Sequence, residues 1–109
     1  MRRMQPTPLQ QKVVNLAGEI EAEMRRIGMW TSETPSPDQM DFNAAFAMDT
    51  MPFSWWLQFV FLPRVHEAAA SNKFPSSSSV ATQAVREFDG DPNANRLLTL
   101  LSEFDALFG

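Results

Sequence analysis

The sequence has no cysteine, no tyrosine and a single histidine. Without cysteine, disulfide stapling, thiolate catalysis and cysteine-ligated zinc are excluded, and a reducing compartment is permitted. Its four glycines are scattered, so no Gly-rich loop can cradle a phosphate. The most hydrophobic run, Trp55 to Pro63, falls well short of the roughly 20 apolar residues that span a bilayer. Near the N-terminus, Arg2 and Arg3 lead directly to Gln5, Pro6, Thr7 and Pro8, with no apolar segment of a secretory signal. A cytoplasmic location without membrane contact is therefore expected. Positive charge is also scarce. The net charge is −4, and the basic residues cluster only at Arg2-Arg3 and Arg25-Arg26. Autonomous nucleic-acid binding needs a basic face to displace phosphate counterions, so direct DNA binding is not expected.

What is present is a helical pattern with a large apolar content. The chain of 109 residues is 44% hydrophobic and holds nine phenylalanines and three tryptophans, enough for one core. Thr7-Pro8-Leu9-Gln10 fits a capping box with proline at the first helical position. From there Leu9, Val13, Leu16, Ile20, Met24 and Ile27 recur every three or four residues, and Gly28 can supply a left-handed cap. The periodicity predicts helices over about residues 8–27, 51–71, 79–89 and 92–108. Residues 30–48 form a linker, pinned to the core by Trp30, Met40, Phe42 and Phe46. Asp49 is expected to cap the second helix ahead of Pro52, and Pro63 to kink it by removing a hydrogen bond to the Phe59 carbonyl. Ser76 to Ser79 offers the third helix an N-cap, Gly90 ends it, and Asp91-Pro92 opens the fourth. The fold class is all-α, an irregular four-helix bundle with a Pro-kinked central helix and a single domain.

The central helix carries the most information. At 100° per residue, Phe53, Trp56, Leu57 and Val60 share one face, while Trp55, Phe59, Leu62 and His66 line the roughly opposite one. Ser54 and Gln58 leave only a narrow polar stripe beside Phe61. A helix that is apolar nearly all round is either central in its bundle or offers part of itself to a partner. On the first reading both aromatic faces are core. On the second, the line through Trp55, Phe59 and Leu62 is a docking patch, since aromatic anchors dominate interfaces.

No catalytic constellation emerges. His66 has Leu62, Pro63, Ala69 and Ala70 at helical ligand spacing, so it lacks a second metal ligand. Asp49 stands 15 residues from Arg64, over about 20 Å along one helix, which rules out a catalytic pair. Arg64 reads instead as an ion-pair or surface residue. The acidic residues Asp38, Asp41, Asp89, Asp91 and Glu103 have no calcium-loop spacing, and no Gly-x-Ser-x-Gly frames the serine run. The expectation is a non-enzymatic protein with no cofactor and no metal.

The run from Phe46 to Val65 resembles the signature of the bacterial YqcC-like family, through Asp49-Thr50-Met51, then Trp56-Leu57-Gln58, then Pro63-Arg64 at the same spacing. The resemblance extends to Trp30, the Pro35/Pro37 linker, Phe42, Leu97-Leu98 and Asp105-Ala106-Leu107-Phe108. It implies a small helical bundle and an association with tRNA pseudouridine synthase C, and it supplies no catalytic residues. Trp55 departs from it, standing where related sequences tend to be polar. The expected role is an accessory domain that docks on a tRNA pseudouridine synthase through Trp55, Phe59, Leu62 and Arg64. In that reading Asp49, Trp56, Leu57 and Pro63 are the structural motif. Two alternatives are a self-associating module using the same patch and a weak RNA-contacting factor using Arg2, Arg3, Arg25 and Arg26.

Overall fold

A computed structural model of the chain describes residues 6–108. Helix α1 (Pro8–Arg26) begins with a reciprocal cap. The Gln10 N–H donates to Thr7 Oγ1 at 3.1 Å, and the Thr7 N–H donates to Gln10 Oε1 at 2.7 Å. The same Gln10 side chain reaches across to donate from Nε2 to the Ala69 carbonyl at 2.7 Å, tying the start of α1 to the end of another helix. At its far end α1 closes in a Schellman arrangement. Met29 N–H donates to the Met24 carbonyl, and Gly28 takes the left-handed conformation (φ 78°) that a side chain would resist. Val13, Leu16, Ala17, Ile20 and Met24 form its buried stripe.

The linker is more structured than its composition suggests. Ser36-Pro37-Asp38-Gln39 repeats the Thr-Pro-x-Gln pattern of α1, and the same reciprocal cap starts a one-turn helix α2 (Pro37–Met40). A 3₁₀ turn follows at Ala45–Ala47, in which Phe46 and Ala47 both adopt left-handed backbone, with φ of 58° and 53°. Two consecutive non-glycine residues there are uncommon, and each costs roughly 1–3 kcal/mol that the surroundings must offset. The Phe46 ring, wedged edge-on against Phe53 and Trp56, supplies part of that compensation.

The central helix runs from residue 53 to 71 in three parts: α3 (Phe53–Trp56), a π turn (Leu57–Phe61) and α4 (Leu62–Ser71). It starts at Phe53 rather than near residue 51, because Pro52 occupies the cap position. Pro63 does not break the helix. The Leu62 N–H donates five residues back to the Leu57 carbonyl, and this wider turn relieves the crowding that proline imposes on the preceding carbonyls. Left-handed Asn72 ends α4.

Helix α5 (Val80–Glu87) packs on α6 (Asn95–Ala106), and α1 packs on both α4 and α6. Asp91 caps the 3₁₀ turn Pro92–Ala94 that leads into α6, accepting from the Asn93 N–H. No strand occurs among the described residues, and the fold is all-α. Its core gathers Ile20 and Met24 of α1, Leu57 of the π turn, and Leu97, Leu100 and Leu101 of α6, all essentially inaccessible to water.

Candidate interaction surface

The π turn decides which side chains the central helix shows to solvent. Rotation per residue is smaller in a five-residue turn than in an α-helix. After Trp55 and Phe59, the next residue on the outer line is therefore Pro63, not Leu62. Pro63 is exposed, whereas Leu62 is only 2% exposed and lies in the core with Val65 and Ala69. The expectation that Leu62 contributes to a docking patch is thus overturned, because the 100° wheel carries it one position too far. Trp55 and Phe59 remain half-buried at the surface, ring edge to ring face at 5.7 Å. Trp56 and Leu57 are core residues.

Arg64 is exposed and makes no ion pair or hydrogen bond with any described residue. It does not join Trp55 and Phe59. It lines a cleft of about 190 Å³ whose walls include Trp56, Phe61, Phe74, Phe104 and Phe108. Elements far apart in sequence build this cleft: the central helix, the end of α6 and the loop that follows α4.

Asp49 does not cap the central helix. Its carboxylate turns back to accept the Asn43 N–H at 3.0 Å, closing the loop that holds left-handed Phe46 and Ala47. That hydrogen bond, with smaller help from the amides of Asp49 and Ala44, holds the Asp49 carboxyl below the usual carboxylate range against a modest desolvation effect. The neighbouring Thr50 hydroxyl donates to the Gln39 carbonyl at 2.6 Å, and Met51 is buried. The Asp-Thr-Met motif is therefore a loop lock.

Two residues to which sequence reasoning assigns no contact tie elements together. Gln58 is buried and forms a two-point clamp on the linker: Thr31 N–H donates to its Oε1 at 3.0 Å, and its Nε2 donates to the Thr31 carbonyl at 2.8 Å. Its place in the polar stripe of the wheel is the available signal. Asp105 of α6 supplies the cap of α5 that Ser79 does not, accepting from the N–H groups of Val80 and Ala81. No local pattern announces a cap that arrives from the end of another helix.

The remaining polar groups are engaged elsewhere. Arg25 pairs with Glu21 and lies 4.6 Å above the Trp30 ring. Arg26 forks onto Glu23, and this hydrogen bond lowers the Glu23 carboxyl pKa and raises that of Arg26. Arg2 and Arg3 lie outside the described residues. His66 is exposed beside Val14 and Ala70, and no group of three potential metal ligands occurs among the described residues. No described helix is long and apolar enough to cross a membrane.

The chain as a whole is similar to known proteins. The profile of the family DUF446, described as tRNA pseudouridine synthase C, matches residues 12–107. The Escherichia coli protein named uncharacterized protein YqcC is 34% identical over 92 residues, covering 82% of this chain and 84% of that one. An uncharacterized protein of Haemophilus influenzae is 29% identical over 94 residues, 82% of each chain. A tRNA pseudouridine synthase C of Pectobacterium carotovorum is 38% identical over 48 residues, which are 44% of this chain and 13% of the synthase. The solution NMR structure of Escherichia coli YqcC matches with a TM-score of 0.83 and 30% identity, over 94% of this chain and 89% of that one. By profile, by sequence and by fold, the chain belongs to the YqcC-like family.

Proposed function

We propose that this chain is a non-catalytic accessory domain that docks on a tRNA pseudouridine synthase. The observation that carries this reading is the similarity to a short part of the Pectobacterium synthase, a chain that extends far beyond the match. A segment of this kind is there held in the same polypeptide as the rest of the synthase, at the high effective concentration that tethering provides. Without such a tether, the same association comes from a surface contact. The family's description points the same way.

The side chains agree with a binding role. Asp49 and Asp105 are engaged on backbone amides, and Glu21 and Glu23 on arginines, which leaves no convergent acid–base pair among them. Trp55 and Phe59 offer adjacent, half-exposed rings of the type that anchors interfaces. Arg25 and Arg26 are neutralised by their partners, which favours a protein contact over RNA binding through those residues.

The test is size-exclusion chromatography with light scattering on the purified chain mixed with the tRNA pseudouridine synthase C of the same organism. A stable complex is expected, and Trp55→Ala with Phe59→Ala should abolish it while leaving the fold intact. Leu62→Ala should instead destabilise the domain by about 2–5 kcal/mol, as a core truncation does. Separate elution of the two proteins at tens of micromolar would reject the reading. Elution of the chain alone as a dimer that the double variant dissolves would favour self-association.

A further inference from the structure

We infer that the cleft beside Arg64 receives an apolar side chain of the synthase that stands next to a carboxylate, with Arg64 taking the carboxylate; the inference rests on the accessory role proposed above. The cleft is preformed by a continuous run of rings. Trp56 stacks on Phe61 at 5.6 Å, Phe61 meets Phe104 edge-on at 5.1 Å, Phe104 touches Phe108 at 5.1 Å, and Phe108 touches Phe74 at 5.6 Å. Each ring fixes the next, so little side-chain freedom remains to be lost when something enters.

Size and charge select the occupant. Pockets for metabolites and cofactors are typically about 300–1,000 Å³. This one, at about 190 Å³, suits a single large side chain. Among the described residues that line it, Arg64 is the only charged one, a cation in a chain whose net charge is −4. A guanidinium fork with no partner among the described residues, beside an apolar cleft, is complementary to a carboxylate, which it binds through two parallel hydrogen bonds. An aromatic or aliphatic anchor with an acidic neighbour satisfies both parts, and such centrally seated anchors carry most of an interface's energy. Trp55 and Phe59 then flank the contact without belonging to the cleft.

Isothermal titration calorimetry with the purified synthase tests this on wild type, R64E, A68W and R86E. Ala68 lines the cleft, so tryptophan there fills it, while Arg86 lies on α5 away from it. R64E and A68W should each weaken binding at least tenfold, and R86E should stay within twofold of wild type. Because Arg64 is exposed, R64E remains informative even where A68W does not fold. Wild-type affinity in both cleft variants overturns the inference and leaves the accessory role standing; no binding by wild type overturns both. Millimolar 3-phenylpropionate, a ring bearing a carboxylate, should compete with the synthase. Tight binding of that probe with synthase affinity unchanged would assign the cleft to a small carboxylic acid instead. A dimer that A68W dissolves would assign it to a second copy of the chain.

Discussion

The carboxylate of Asp105, in the last turn of α6, accepts the N–H groups of Val80 and Ala81 at 3.1 and 2.8 Å, and also the Ser78 hydroxyl. It thereby closes the N-terminus of α5 from 24 or more positions downstream. On its own helix a negative charge at the C-terminal end is unfavourable, but at the start of α5 the dipole has the opposite sign and favours it. Asp105→Ala should therefore cost about 1–2 kcal/mol, lowering the thermal midpoint by roughly 5–10 °C in a domain of this size. Asp105→Asn, which keeps one acceptor oxygen, should lose less. Equal losses in the two variants, read by circular dichroism melts, would show that charge rather than hydrogen bonding matters.

Asp49 predicts a pH dependence. The hydrogen bond from Asn43 holds its carboxyl below the usual range, so the folded state binds this proton less readily than the unfolded one. Its contribution is then fully present above the ordinary carboxylate pKa of about 4 and fades as pH falls through the lower folded value. Glu23, lowered chiefly by its hydrogen bond from Arg26, acts in the same direction. Asp49→Asn should be less stable than wild type near pH 7, and the gap should narrow on acidification below about pH 4. Urea titrations across that range measure it, and a constant gap would mean that the carboxylate charge contributes nothing to the loop.

The reach of sequence reasoning here follows the range of the forces involved. Helix α1 is legible because both its caps and its apolar stripe are local: Thr7, Gln10 and Gly28 lie within a turn of what they satisfy. The same Thr-Pro-x-Gln logic recurs at Ser36-Pro37-Asp38-Gln39, where the proline-rich surroundings obscure it. A helical wheel misplaces Leu62 because it assumes uniform rotation, and the π turn before Pro63 interrupts it. Asp49 misleads because proximity to a helix start suggests a cap, while the partner it takes, Asn43, is six residues upstream in a loop. The cleft at Arg64 leaves no trace in the sequence, since the central helix, Val13 of α1, the loop after α4 and the C-terminal residues Phe104 and Phe108 share its walls and only tertiary packing brings them together.

Gln58 carries a prediction that separates shape from hydrogen bonding. Its amide meets the Thr31 backbone with one donor and one acceptor, and the site is buried. Gln58→Leu should leave the Thr31 N–H and carbonyl without partners, at a cost of about 1–3 kcal/mol. Gln58→Glu keeps the shape but turns an oxygen toward the Thr31 carbonyl. At pH 7 that variant should be the less stable of the two, because the buried charge faces a carbonyl dipole. Near pH 4 the introduced carboxyl takes up a proton and can again donate, so the deficit relative to wild type should shrink. A deficit that is the same at both pH values would mean that the introduced charge is not what destabilises the Gln58→Glu variant.

Pro63 tests whether the π turn truly absorbs the proline. In the interior of a regular α-helix, proline is about 3 kcal/mol worse than alanine, because it lacks a donor and clashes with the preceding turn. Here Pro63 is exposed, stands one residue past the π turn and lies in the opening of α4, where a missing N–H is less costly. The burial of Leu62, Val65 and Ala69 depends on the altered phase, so the core itself holds the π turn in place whatever residue stands at 63. Pro63→Ala should accordingly change unfolding free energy by less than about 1 kcal/mol and leave affinity for the synthase unaltered. A gain near 3 kcal/mol would place the proline in an unrelieved α-helical interior. Lost binding without a change in stability would instead show that the exposed ring, on the same outer line as Trp55 and Phe59, is itself part of the contact.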